Sequence, residues 1–321
     1  MYPLLSSVES DARSFFASLN SSITNEYQTQ FRFRSLSNPR GHIQQPGAVL
    51  GQAVNPNRFR GVPPRYTLFA DEVQVGKETG AALIPFEGAV ARVNGLDWRQ
   101  IGKDFDEQGS ALLQSVLSAE ECKAVAALYP EESIFRSRVV MGRHGFGRGE
   151  YKYFSYPLPR LIEGLRTELY PRLAPVANRW NEAMGIEVRY PDKHAEFVQR
   201  CHDAGQLRPT PLLLQYGPGD YNCLHQDLYG EHVFPIQVAI LLSEPQSDFT
   251  GGELVLTEQR PRMQSRPEVV PLRQGDAVAF AVHHRPVQGT RGTYRVNLQH
   301  GVSRLRSGQR HTVGIIFHDA N

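Results

Sequence analysis

The feature that most constrains the fold is a change of pattern at Pro211. From there onward the apolar segments are short, and Gly, Pro, Asp or Ser separate them. Segments of this length and spacing predict the strands of an antiparallel sandwich or barrel. The predicted strands are Leu212–Tyr216, Pro235–Leu242, Gly252–Thr257, Ala277–Val282, Tyr294–His300 and His311–Phe317.

The residues before Pro211 carry helical patterns instead. Ser118 followed by Glu121 is a capping-box arrangement, which predicts a helix that ends before Pro130. Further helices are predicted over Leu161–Leu169, Leu173–Met184 and His194–Ala204. Helices followed by many short strands indicate an α+β fold with the helices packed at the N-terminal side of the strand region.

The first part of the chain differs from the rest. Ser, Asn, Gln, Pro and Gly dominate residues 35–64, where neither a helical nor a strand period persists. We therefore predict a poorly structured N-terminal extension over residues 1–90 and one folded domain over residues 91–321.

Bulk composition argues against a disordered chain, a membrane protein and a disulfide-rich protein. Hydrophobic residues make up 40% of the chain and charged residues 21%, as in an ordinary globular protein. The longest apolar runs are strand-sized, far short of a membrane span. Three widely spaced cysteines argue against a disulfide framework and favour a reducing cytoplasm. Neither a membrane nor an obligate protein partner is predicted.

His225 and Asp227 form the first half of a candidate metal site. In a strand, side chains two residues apart face the same side, so both can point into a barrel mouth while Gln226 points away. One imidazole and one carboxylate are two thirds of the facial triad of non-haem Fe(II) oxygenases, which leaves coordination positions open. The pair alone is a weak signal, because this spacing also arises by chance.

The second half of the site lies near the C-terminus. His300 is predicted to head a strand that ends near Leu305, and a turn at Ser307-Gly308 separates it from Arg310. If the two segments are neighbouring strands, the imidazole and the guanidinium both face the interior. A dicarboxylate that chelates iron at one end needs a bidentate cation at the other. Taken singly, Arg310 fits a surface arginine and His300 a buried core histidine.

The chain resembles the 2-oxoglutarate/Fe(II) oxygenase superfamily in its prolyl-hydroxylase branch. The resemblance is carried by His225, Asp227, His300 and Arg310, with the segment FTGGELVL between Asp227 and His300. Residues from about 93 to 321 more closely resemble a bacterial family of oxygenases acting on damaged DNA. The segments that carry this closer resemblance are FRSRVVMGRHGFGRGEYKYFSYPLP, AGQLRPTPLLLQYGPGDYNCLHQDLYG and LTEQRPRMQSRPEVVPLRQGDAVAF.

The resemblance implies a double-stranded β-helix core, of the jelly-roll or cupin-like type. It also implies Fe(II), dioxygen and the co-substrate 2-oxoglutarate, with release of succinate and carbon dioxide. The co-substrate carboxylate is assigned to Arg310. The catalytic metal ligands are assigned to His225, Asp227 and His300.

Two further residues are candidates for binding the co-substrate. Tyr216 matches a tyrosine that contacts the oxo-acid in related hydroxylases. Thr312, two residues beyond Arg310, could hydrogen-bond the same carboxylate. Both also fit ordinary barrel lining. Prolyl hydroxylases carry another tyrosine on the following strand, where this chain has Leu241.

Residues 136–153 are the candidate substrate region. Arginines there alternate with aromatic residues and glycines, which suits a flexible lid that grips phosphates and stacks a base. The same residues would suit another anionic or planar substrate, or could pack back on the barrel. The candidate substrate residues are Arg143, Phe146, Arg148, Tyr151 and Tyr153.

These observations predict an Fe(II)- and 2-oxoglutarate-dependent dioxygenase that hydroxylates a substrate carbon. On an alkylated nucleobase this gives oxidative demethylation, as in DNA repair, with single-stranded or damaged nucleic acid as partner. A net charge of +2 argues against broad coating of DNA. The alternatives are a hydroxylase of a peptidyl or free amino acid and a non-catalytic cupin-like binding or sensor protein. The complete ligand set with Arg310 argues against the non-catalytic protein.

Overall fold

The computed structural model describes residues 84–228 and 230–321, so most of the predicted extension lies outside the described residues. Ser118 and Glu121 form both halves of a capping box: Ser118 N donates to Glu121 Oε2 at 2.7 Å, and Glu121 N donates to Ser118 Oγ at 3.2 Å. This confirms the helix predicted from that pair. The α-helices of the described ranges are α1 (Glu87–Asn94), α2 (Trp98–Gln108), α3 (Ala119–Ala126), α4 (Arg160–Ala183) and α5 (His194–Asp203).

α4 is a single helix where the sequence predicted two, and that prediction is wrong. The helix continues through Pro171 and Pro175. A proline in a helix interior costs about 3 kcal/mol, whereas burial of one large apolar side chain contributes about 1.5–3 kcal/mol. Leu169, Tyr170 and Leu173 flank the first proline and are fully buried. Packing against the core therefore outweighs the break that the prolines favour.

The strands form two main antiparallel sheets. In spatial order the seven-stranded sheet contains β1 (Ser110–Leu113), β11 (Ala277–Ala281), β7 (Ile236–Leu241), β15 (Arg310–Ile315), β5 (Leu212–Tyr216), β4 (Glu150–Phe154) and β2 (Phe135–Val140). The six-stranded sheet contains β10 (Arg266–Val270), β9 (Leu254–Gln259), β13 (Gly292–Val302), β6 (Tyr221–His225) and β3 (Gly147–Arg148), with β12 (His284–Gly289) paired to β13. A separate pair joins β8 (Phe249–Gly251) and β14 (Leu305–Gly308).

The two sheets enclose a cavity to which both contribute side chains. α2 packs beside β1 and β12, and α4 beside β12 and β15. This arrangement confirms the predicted α+β fold with a double-stranded β-helix core. Within the described ranges, no helix is long and apolar enough to cross a membrane.

The position of His300 in its strand differs from one of the predictions. His300 lies near the end of β13, which stops at Val302, and does not head a strand ending near Leu305. Val296, Leu298 and His300 are buried in alternation along β13. The alternation shows that one face of β13 stays in the core as far as His300. His300 therefore belongs to the strand that precedes it.

The domain boundary predicted between residues 90 and 91 falls inside α1. Ala89 and Val93 of this helix are fully buried, and Ile84 before it is 6% exposed. The start of the domain stays a prediction that two truncations can test. A chain beginning at residue 91 loses Ile84 and half of α1, so we expect it to be about 2–4 kcal/mol less stable than one beginning at residue 84. Equal midpoints in urea denaturation would contradict this.

Candidate active site

The three predicted metal ligands converge on one point of the cavity. His225 is the last residue of β6 and pairs directly with His300 of β13. Their ring centroids are 4.1 Å apart. Asp227 Oδ1 lies 3.5 Å from His225 Nε2, and Asp227 Oδ2 lies 3.4 Å from His300 Nε2. Asp227 follows the end of β6, so the prediction that it shares a strand with His225 is wrong.

The spacing of these atoms fits a metal ion. One ligand atom from each residue lies within 4.8 Å of the others. Two neighbouring ligand atoms, each about 2.1 Å from an octahedral ion, lie roughly 3 Å apart. The separations of 3.4 and 3.5 Å are close to that distance. Two imidazole nitrogens and one carboxylate are the donor set of non-haem Fe(II) sites with open positions.

The protonation states also suit metal binding. Burial opposes the charged form of Asp227, but hydrogen bonding and charge from His300 prevail and hold the pKa of Asp227 well below its usual range. Burial, and next the neighbouring His300, lowers the pKa of His225. An ionised carboxylate and a neutral imidazole are the forms that ligate metals.

Gln237 belongs to this cluster but was not predicted from the sequence. It lies on β7 and is buried. Its Nε2 donates to Asp227 Oδ2 at 3.0 Å and lies 3.0 Å from His300 Nε2. Such a partner fixes the orientation of a ligand. The available signal was a lone amide in the otherwise apolar run PIQVAILL.

Arg310 faces the same cavity from the opposite sheet. It is 2% exposed and lies on β15, directly across from Tyr216 of β5. Its Nη1 donates to Thr312 Oγ1 at 2.7 Å, whereas Nε has no hydrogen-bond partner. Within the described part of the chain, no carboxylate forms an ion pair with it. A buried guanidinium with spare donors and no counter-ion fits the carboxylate of a small acid.

His300 and Arg310 are not on neighbouring strands, so that part of the prediction is wrong. β13 belongs to the six-stranded sheet and β15 to the seven-stranded sheet. Between them the chain forms β14, which pairs with β8. The two side chains still meet the same cavity, because the sheets face each other across it.

Tyr216 and Thr312 both line this cavity, as Arg310 does. Burial raises the pKa of Tyr216 to about 12, so its hydroxyl stays protonated and can donate a hydrogen bond. Leu241 is buried on β7 and pairs with Thr312. Binding of a co-substrate by Tyr216 and Thr312 stays a prediction.

The cavity has a volume of about 230 Å³ and reaches three of the predicted substrate residues. Phe146, Tyr151 and Tyr153 line it together with the metal-ligand cluster and Arg310. The two arginines predicted with them do not. Arg143 is exposed, and the Nε of Arg148 lies 3.2 Å from Asp220 Oδ1 with its side chain 68% exposed.

The segment that carries these residues is part of a sheet. β3 pairs with β6, and Cys223 N donates to Phe146 O at 2.9 Å. At Gly147 φ is +130°, and a Cβ there would lie 2.4 Å from the carbonyl oxygen of Tyr221. Only glycine allows this approach. The contacts favour the alternative in which the segment packs on the barrel over a freely moving lid.

Comparison with known proteins gives a family. Residues 149–320 match a family model described as an oxygenase catalysing oxidative methylation of damaged DNA. Two proteins of Mycobacterium tuberculosis, from strains CDC 1551 and H37Rv and both called uncharacterised, are 48% identical over 182 residues. The match covers 56% of this chain and 78% of each relative. A prolyl-4-hydroxylase structure from Pseudomonas putida has a TM-score of 0.43 and 12% identity, covering 70% of this chain and 100% of that one.

Proposed function

Because this chain belongs to the family of oxygenases described as catalysing oxidative methylation of damaged DNA, we propose that it hydroxylates the N-methyl carbon of an alkylated nucleobase and so removes the methyl group. The family match confirms that the predicted class of enzyme, an oxygenase, is right. The dependence on Fe(II) and 2-oxoglutarate is part of this proposal and is supported by the His–Asp–His cluster and by Arg310. One observation carries the substrate proposal. A single cavity joins the His–Asp–His cluster, a buried arginine without a counter-ion and three aromatic side chains.

In this proposal His225, Asp227 and His300 ligate the iron. Bound Fe(II), with 2-oxoglutarate and dioxygen, supplies the oxidising chemistry, and the oxo-acid leaves as succinate and carbon dioxide. Gln237 holds the Asp227 carboxylate by its hydrogen bond to Oδ2. That contact keeps one oxygen of the carboxylate beside His225 Nε2 and the other beside His300 Nε2.

Arg310 holds the far carboxylate of 2-oxoglutarate. Its guanidinium lies beside two rings, 5.5 Å from the centroid of Tyr216 and 5.9 Å from that of Phe249. These rings and the bond to Thr312 fix the fork in one orientation. A fork that is already oriented loses little side-chain freedom when the carboxylate binds.

The aromatic side chains suit a base taken out of its stack. Phe146 is 42% exposed, and with Tyr151 and Tyr153 it adds aromatic surface to the cavity. An enzyme that acts on a base must extrude it or use a single strand, and aromatic rings replace the lost stacking. Hydroxylation of the methyl carbon gives a hemiaminal. When the C–N bond of the hemiaminal breaks, the hydroxyl proton moves to the ring nitrogen and formaldehyde leaves.

The test is turnover of a methylated single strand by the full-length protein with Fe(II), 2-oxoglutarate and oxygen. We expect succinate release above the uncoupled rate, with one formaldehyde for each additional succinate, and no such increase with the unmethylated strand. A proline-containing peptide and free amino acids are tested alongside. If these stimulate succinate release and no methylated strand does, the protein is an amino-acid hydroxylase and the nucleobase proposal fails.

A cytoplasmic location is part of the proposal. Cys122, Cys201 and Cys223 are all free thiols, the first two buried and the third exposed. Free cysteines are common in reducing compartments, where disulfides rarely persist.

A further inference from the structure

Arg136 lies where the edge of the seven-stranded sheet is irregular. β2 pairs with β4, and the register shifts between Phe135 and Ser137, so Arg136 sits at the irregularity. Irregularities of this kind redirect a side chain. Its Nε donates to Pro209 O at 2.8 Å, and its guanidinium carbon lies 4.4 Å from the centroid of the Tyr153 ring. The side chain is therefore held in place by contacts to two other segments.

Arg136 borders a second cavity next to the active site. This cavity has a volume of about 410 Å³. Tyr153 and Ile316 line both cavities, so they form the wall between them. A ligand stacked against Tyr153 in the active site would have its next chemical group close to Arg136.

Arg136, unlike Arg138 and Arg148, has no carboxylate partner among the described residues. Arg138 is bound to Glu150, and Arg148 lies beside Asp220. The nearby carboxylate of Asp319 is fully buried and already bound by Arg166 at 2.6 Å. Burial lowers the pKa of Arg136, and the neighbouring charge of Arg208 acts in the same direction, while Asp319 opposes it.

We propose that Arg136 and the second cavity form a phosphate subsite, which binds the backbone phosphate adjoining the nucleobase in the active site. This rests on the proposed function. With Nε held by Pro209, the two Nη groups keep four N–H donors, which suit two oxygens of a phosphate. Arg136 is thus a substrate-binding residue beside the predicted Arg143 and Arg148, whose own contact with substrate stays a prediction.

The test compares one methylated base in three forms: the nucleoside, its 5′-monophosphate and a short single strand. The wild type is expected to prefer the phosphorylated forms in kcat/KM. Arg136→Ala should reduce this preference by about tenfold or more, the loss expected for one charge-assisted contact. Arg136→Lys keeps the charge without the fork and should lie between the two. The matched control is Arg138→Ala, which removes an exposed arginine of the same strand and should leave the preference unchanged.

The preference is a ratio measured within each variant, so a partly unfolded preparation does not alter it. A response of the monophosphate alone would assign the subsite to a terminal phosphate; a response of the strand would assign it to a bridging one. If the methylated strand is turned over and Arg136→Ala keeps the full preference, the subsite is wrong and the proposed function stands. If no form is turned over, the subsite is tested by calorimetric titration of the wild type and Arg136→Ala with inorganic phosphate. Binding that Arg136→Ala abolishes supports the subsite, and binding that it leaves unchanged overturns it.

Discussion

Replacement of Asp227 by alanine is expected to abolish iron-dependent consumption of 2-oxoglutarate. Its two oxygens lie 3.5 Å from His225 Nε2 and 3.4 Å from His300 Nε2, so its loss removes the only anion of the proposed ligand set. Loss of a group that only orients a ligand typically costs about 10–100-fold in metal affinity or activity. We therefore expect a reduction greater than about hundredfold. It is measured as succinate released per minute, together with Fe(II) affinity.

The matched control is Asp203→Ala. Asp203 is exposed at the end of α5 and accepts a hydrogen bond from Gln199, so its loss should leave both quantities unchanged. Circular dichroism and urea denaturation of Asp227→Ala establish that the variant is folded. Normal turnover by folded Asp227→Ala would show that the His–Asp–His cluster is not the catalytic metal site.

Replacement of Arg310 by lysine is expected to weaken 2-oxoglutarate about tenfold or more while Fe(II) affinity changes little. A charge-assisted hydrogen bond contributes about 1.5–3 kcal/mol, and an ammonium cannot reproduce a bidentate fork. The lysine would also lose the geometry of the Nη1 contact to Thr312. The KM for 2-oxoglutarate and the dissociation constant for Fe(II) are measured on the same preparation.

Arg306→Lys is the control for this variant. Arg306 is exposed on β14, in the segment that leads to Arg310. Its replacement makes the same arginine-to-lysine change outside the cavity, so the KM for 2-oxoglutarate should stay the same. An unchanged KM for 2-oxoglutarate in Arg310→Lys would exclude Arg310 from co-substrate binding. An equal loss of Fe(II) affinity would instead indicate damage to the whole cavity.

Prediction from the sequence worked where the information is local. The capping pair Ser118 and Glu121 determines the start of a helix within one turn, and the structure contains both hydrogen bonds. The end of the helix predicted over His194–Ala204 is local in the same way, because Gly205 follows it with a φ of +81°, a conformation that favours glycine. Strand positions also followed from short apolar runs, because strands such as β7 and β11 are buried on both faces and keep apolar side chains at nearly every position.

Relations between distant segments could not be predicted in this way. His300 and Arg310 are close in sequence, yet they lie on different sheets, because strand pairing depends on contacts along the whole chain. Gln237 acquires its position beside Asp227 only when β7 and β6 come together in the fold. α4 shows the same limit, since proline propensity is local and the burial that outweighs it is not.

The pairing of β3 with β6 has a consequence for the thermodynamics of substrate binding. Phe146 and Gly147 are hydrogen-bonded to the strand that ends at His225, so this rim of the cavity is ordered before any ligand arrives. Ordering one backbone residue costs about 1–2 kcal/mol, and a preformed rim avoids that cost on binding. The same rigidity narrows the range of shapes that can enter. Selectivity among substrates would then come from the fixed opening of the cavity, which excludes molecules of the wrong shape. Substrate association would need no closure of this segment.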